Sequence, residues 1–418
     1  MQKNANMPSV RFKDFTGAWK QRKLGEMYQK SSEKNDGSIG IERNITVATM
    51  QFKSDIHVSS AEYLKSYYTF RLGDIAFEGN RSKDFRYGRF VENYIGGGIV
   101  SHIFVVFRPI VEFDLNYWKY AINNERIMKN VLRRSTKAST MMHDLVTEDF
   151  VNQAIRVPTI NEQRKIGQLF HHLDHLIALH QRKYEKLCTI KKAFLERMFP
   201  KDGAHVPEVR FAGFAEDWES LKFDKTFDVT VPSNTFSRAK LNYERGEVKS
   251  VHYGDILIKY GASIDVNADE IPYINDCLLI QYKENLLHEG DIIFADTAED
   301  ETAGKAAEIV NLRGYSVVAG LHTIVCRPLE KKARYYLGYY LNSNSFRHQL
   351  IPLLQGIKVL SISRSNLLKT EIMYPVSSDE QAKIGAFFHR LDALIALHRR
   401  KLEKLRTIKK AFLERMFV

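Results

Sequence analysis

The chain has 418 residues, 44% hydrophobic and 27% charged, which fits a folded chain of roughly two to four domains and excludes a disordered or fibrous one. Lys and Arg total 62 against 50 Asp and Glu, a formal net charge of +12 that attracts polyanions without specifying a sequence. Three scattered cysteines (Cys188, Cys277, Cys326) exclude a disulfide framework or cysteine zinc site, and the absence of an apolar leader or a long apolar run makes the cytoplasm the expected setting, with no membrane partner.

Along the chain, a short segment MPSVRFKDFTGAW at 7–19 precedes a stretch, about 20–160, of brief β-type runs, Gly, Asn and Asp turn signals, and a closing helical run at 116–134. Within it, EGNRSKDFRYGRF at 78–90 gathers Asn80, Arg81, Lys83, Arg86, Tyr87 and Arg89, residue types that read base edges and hold phosphates. The plain alternative is a charged hairpin in water. STKASTMMHDL at 135–145 adds Lys137, Ser139 and Thr140.

At 162–199 the pattern becomes a long helix. Ile166, Leu173, His180, Leu187 and Phe194 recur every seven residues, with Leu169, Leu176, Tyr184 and Met198 at most complementary positions. This is a coiled-coil seam. The segment VPEVRFAGFAEDW at 206–218 then repeats the opening one, and a second mixed stretch runs over about 219–378. Its candidate DNA contacts are Lys259 and Tyr260 in IKYGAS, Lys305 in the otherwise acidic DTAEDETAGK, and Gln355 and Lys358 in QGIKVLSIS.

The long helix is then written again at 380–417, matching 162–199 at roughly three quarters of positions without a gap. Its seam is Ile384, Leu391, His398, Leu405 and Phe412, with Phe387, Leu394, Leu402 and Met416. Each helix is the cheapest partner for the other, and a closed pseudo-twofold pair makes them antiparallel. The offset between copies is 199 at the start, 217 from residue 72 onward and 218 in the helices, so the second half carries about 18 extra residues, inserted early. His171, His175 and His180 invite a metal reading, but Ala393 stands where the second copy would need the counterpart of His175, and no metal site is expected.

Two variable stretches, each followed by PTINEQRKI (158–166) or PVSSDEQAKI (375–384) and a helix ending in KKAFLERMF, with VRF…F…W opening both halves, resemble the specificity subunit of type I restriction-modification systems over the whole chain. The resemblance implies an α+β fold of two target-recognition domains, separated and joined by two long helices forming an antiparallel coiled coil in a circular arrangement. The expected domains are 1–160, 161–200, 201–378 and 379–418. Each recognition domain would read half of a bipartite, asymmetric double-stranded DNA target, and the helices would set the gap and dock two modification subunits. The chain would hold no cofactor. S-adenosylmethionine, ATP and Mg are expected on modification and restriction subunits, which carry adenine methylation and cleavage. The 7–19 arm is expected beside the end of the second helix, supplying the continuation that the first copy has in its own chain. No N-P-P-[FY] motif, P-loop or cofactor glycine signature is present. An endonuclease with an unrecognised site and a protein-only coiled-coil scaffold remain the alternatives.

Overall fold

The computed structural model describes residues 7–53, 61–139, 142–201 and 203–418. The chain divides into two units, Met1–Arg182 with Arg399–Val418, and Lys183–His398. Each takes one end of each long helix.

In the first unit, a four-stranded antiparallel sheet runs in the order Tyr28–Ser31, Val105–Pro109, Ile75–Glu78, Arg89–Glu92. Ile75, Phe77, Phe90 and Phe107 face a core with Phe150, whereas Ala76, Val91 and Val106 face a second core with Ile45, Met50 and Phe70. Side chains alternate across a strand, so a sheet covered on both faces needs an unbroken apolar run such as IAF. The second unit builds the same antiparallel order with Phe227–Asp228, Thr323–Pro328, Ile292–Ala295 and Ala306–Val310, and adds Ser263–Asp265 parallel to the last. Its extra length lies between Thr230 and Leu286. There it forms strands such as Leu241–Asn242, Val248–Val251 and Tyr273–Ile274 and the helix Tyr253–Ile258.

A matched ion pair on a buried aspartate recurs in the two sheets. Asp74 pairs with Arg108 (Nη2 to Oδ2 2.9 Å), and Asp291 pairs with Arg327 (2.8 Å). Each aspartate also accepts a backbone N–H at 2.8 Å, from Arg71 or His288. A buried charge is tolerated when it is paired and hydrogen-bonded in this way.

The long helices span Ile160–Arg197 and Ser378–Arg415, 38 residues each, or roughly 57 Å at ~1.5 Å per residue. Their EQ openings bind them to their units. Glu162 accepts both Nε and Nη2 of Arg11 (2.6 and 2.7 Å), and Glu380 accepts the same atoms of Arg210 (2.7 and 2.8 Å). Gln163 accepts Asp114 N and donates to Pro158 O, while Gln381 accepts Ala333 N and donates to Pro375 O. Helix C-termini leave carbonyls without intrahelical partners. In the second unit Val209 N reaches Arg197 O (2.9 Å), and in the first Val10 N reaches Arg415 O (3.1 Å). The amino-terminal arm therefore packs beside the end of the second helix, as expected of a circular plan.

Helix segments pair antiparallel within each unit. In the first, the Phe170 and Phe417 ring centroids lie 5.8 Å apart, Lys409 bonds Asp174 (2.5 Å) and Arg406 bonds Gln181 (3.2 Å). In the second, Phe194 meets Phe387 (5.1 Å) and Lys191 bonds Asp392 (2.5 Å). Tyr120 donates to Asp174, and Tyr339 donates to Asp392 (2.7 Å), so the same Tyr–Asp–Lys cluster joins three helices in each unit. Ile166, Leu173, Ile384 and Leu391 are buried. Leu187, Phe194, Leu405 and Phe412 pack on the cores as half-buried residues, and His180 and His398 are half-buried. One expectation is corrected: the heptad places Leu176 and Leu394 on the seam, but they are exposed (40% and 43%), beside exposed Leu179 and Leu397. Burial sits on one face of the helix, and these leucines lie off it.

Candidate nucleic-acid interface

Each unit carries a small β platform beyond its central sheet. In the first, the loop after Ile75–Glu78 meets the hairpin Thr136–Ala138/His143–Leu145 through an antiparallel bridge between Asn80 and Met142 and the bond His143 N to Gly79 O (2.9 Å). A Cβ on Gly79 would lie 2.1 Å from His143 O, so the close approach requires glycine. In the second unit, the loop after Ile292–Ala295 forms Thr297–Ala298, which pairs with Leu360–Ser361. That hairpin closes through Gln355 N to Ser361 O (2.9 Å) and Ser361 N to Gln355 O (2.8 Å).

The first platform brings two sequence candidates together. Asn80, Arg81, Lys83 and Arg86 from the loop are exposed, as are Lys137 and Ser139 from the hairpin, and Arg81 bonds Ser139 O (3.3 Å). Tyr87 is half-buried, edge-on to His143 at 5.5 Å, with Arg86 over its ring. Burial, then the Arg81 guanidinium, push the His143 imidazole below its ordinary value. Arg89 is committed elsewhere, bonding Glu78 (2.7 Å) and Ala48 O (2.9 Å). Thr140 lies outside the described residues. Arg133 and Arg134, missed in the sequence, are exposed on the last turn of Glu125–Ser135, leading into the hairpin. Their signal is a basic pair ending an amphipathic helix.

The second platform keeps Gln355 and Lys358 exposed on its hairpin. Two other candidates do not face solvent as expected. Tyr260 is buried, its hydroxyl donating to Glu270 O (3.1 Å), and Lys305 donates to Leu257 O (3.0 Å) and Tyr260 O (2.9 Å). Lys305 satisfies carbonyls that the turn at 257–260 leaves open, and burial lowers its pKa. Lys259 is exposed and pairs with Glu270 (3.2 Å). Glu299, Asp300 and Glu301 are exposed on the loop, where bonds from Thr302 hold the Asp300 carboxyl below its ordinary value. The two platforms thus share a backbone plan but present opposite charge from the loop after the central strand, Arg81, Lys83 and Arg86 in one and three acids in the other.

On the central sheet of each unit sits a buried carboxylate. Glu308 accepts Tyr335 N (2.7 Å) and Gly338 N (3.2 Å), and burial pushes it up to about 7. Glu92 holds the matching place. Among the described residues neither of its carboxylate oxygens has a hydrogen-bond partner, and burial raises it well above the ordinary range.

A family model described as type I restriction modification DNA specificity domain matches residues 16–189 and again 217–407. The chain is 24% identical over 301 residues to the type I restriction enzyme MjaVIII specificity subunit of Methanocaldococcus jannaschii, covering 70% of this chain and 67% of that one. Its fold is similar to that of a type I restriction-modification system S subunit from M. genitalium, with a TM-score of 0.52, 13% identity and 99% of both chains covered. The HsdS subunit from Thermoanaerobacter tengcongensis aligns over 96% of each chain at 19% identity, with a TM-score of 0.45.

Proposed function

Because this chain belongs to the type I restriction-modification DNA specificity domain family, whose role is recognition of a DNA target, we propose that its two units each read one half of a bipartite, asymmetric double-stranded sequence. The observation that carries this is the platform built twice on one backbone plan with different side chains at its tips. Asn80, Arg81, Lys83, Arg86, Lys137 and Ser139 contact DNA in one half, and Gln355 and Lys358 do so in the other. Arg and Lys pair with guanine edges or phosphates, while the acids at 299–301 suit cytosine amino groups. The long helices, alike in both copies, set the unread gap.

Leu176 with Leu179, and Leu394 with Leu397, expose the same apolar pair on both helices. Exposed apolar pairs at matched positions suit partner helices, and two modification subunits dock there, carrying S-adenosylmethionine and methylating adenine. Restriction subunits with ATP and Mg complete a cytoplasmic complex. No helix among the described residues is long and apolar enough to cross a membrane.

Replacing Arg81, Lys83 and Arg86 together by alanine tests the interface. Binding of target duplex weakens, and the slope of log affinity against log salt becomes shallower by about 1 for each phosphate no longer neutralised. An unchanged affinity and slope would remove this loop from the interface.

A further inference from the structure

The tip of the second platform carries a residue that the fold does not use. Ile357 is 99% exposed and its neighbour Val359 is exposed as well. Gly356 turns the chain at φ +123°, and a Cβ there would lie 1.9 Å from Val359 O. Tight turns favour Gly, Asn, Asp and Ser because those residues supply the backbone conformation or bond it locally. An aliphatic, β-branched side chain in water at such a place offers neither.

Its mounting is firm. Leu353 and Leu354 pack against the core of the unit on one side of the hairpin, Ile362 is buried in that core on the other, and the Gln355–Ser361 bonds close the neck. Ile362 N also bonds Asp296 O (2.8 Å), tying the hairpin to the neighbouring loop. The tip is therefore an apolar group held out on a braced support, between exposed Gln355 and exposed Lys358.

Two aliphatic side chains at a hairpin tip, Ile357 fully exposed and Val359 half so, are too small for a protein-docking patch, which spans a few hundred Å². Among base edges in the major groove, the one apolar feature is the thymine 5-methyl group, and glutamine beside it suits adenine N6 and N7. We propose that Ile357 is a specificity-determining residue that contacts the 5-methyl group of one thymine in the half-site read by the second unit. The proposal rests on the reading of this hairpin as DNA-facing.

The test uses the full chain and the duplex it selects from a random pool, with each thymine replaced singly by deoxyuridine, which lacks only the methyl. Deoxyuridine at one position weakens wild-type binding about three- to fivefold, on the scale of one buried methyl group. Ile357→Ala binds the thymine duplex as weakly as wild type binds that deoxyuridine duplex, and loses its sensitivity there. Lys358→Ala is the control, weakening both duplexes equally with a shallower salt slope. If Lys358→Ala weakens binding but Ile357→Ala abolishes no deoxyuridine effect, the thymine contact is overturned while the hairpin stays at the DNA. A loss from Ile357→Ala that is equal on both duplexes also overturns it, pointing to a wedge between base steps. If neither variant changes affinity, the hairpin does not face DNA and both readings fall.

Discussion

Glu308 and Glu92 occupy corresponding strands, yet only Glu308 receives donors, from Tyr335 N and Gly338 N. Where the second unit has Gly338, the first has Lys119, whose ammonium lies over the Tyr94 ring at 3.8 Å, and among the described residues Glu92 has no hydrogen-bond partner. Each carboxyl is held above its ordinary value by burial. Such a group contributes stability that is fully present below the unfolded-state value of about 4.3 and is lost as pH rises through the folded one. Glu92→Gln should therefore stabilise the chain by about 1–3 kcal/mol at pH 8 and by much less at pH 4.5. Urea unfolding at the two pH values checks this, and a gain equal at both would contradict it. At this scale the sequence is only partly legible. Polar character marks Arg81 and Lys358 as surface residues correctly, but it marks Tyr260 and Lys305 the same way. Whether a lysine reaches outward or closes a turn depends on carbonyls that a sequence pattern does not display. Ile357 is missed for the opposite reason, since polar character marks Gln355 and Lys358 in QGIKVLSIS and passes over the aliphatic residue between them.

Elements are far more legible, because a helical period sustained over five heptads has few competing structures. The repeats at 162–199 and 380–417 fall within two residues of Ile160–Arg197 and Ser378–Arg415. The seam is less secure at its complementary positions. Leu176 and Leu394 fit the heptad but lie off the buried face, since a heptad shows periodicity but not how wide the covered stripe is. Polar contacts also cross each helix pair at matched positions: Asp174 with Lys409 and Tyr120, and Asp392 with Lys191 and Tyr339. These groups are a quarter to a third exposed, so solvent screens them and the pair coupling stays modest. A double-mutant cycle of Asp174→Asn and Lys409→Met should give about 0.5–1 kcal/mol of coupling by denaturant unfolding. Zero coupling would leave the apolar seam alone to set the register.

For the whole molecule, the short VRF segments that look like weak markers turn out to be structural partners of the EQ motifs. Arg11 holds Glu162 and Arg210 holds Glu380, and each arm meets the carbonyl end of a long helix. Repetition of both motifs follows from one local requirement met twice, once in each unit. What diverges is the side-chain set on the platforms and the strands added between Thr230 and Leu286. This division supports reading the shared parts as scaffold and the divergent parts as sequence readers. The most direct test exchanges residues 20–160 for the corresponding stretch of another family member and maps methylated adenines in cells that supply the modification subunit. One half-site should change while the other half and the gap between them stay as they were. A change in both halves, or in neither, would contradict the assignment of one half-site to each unit.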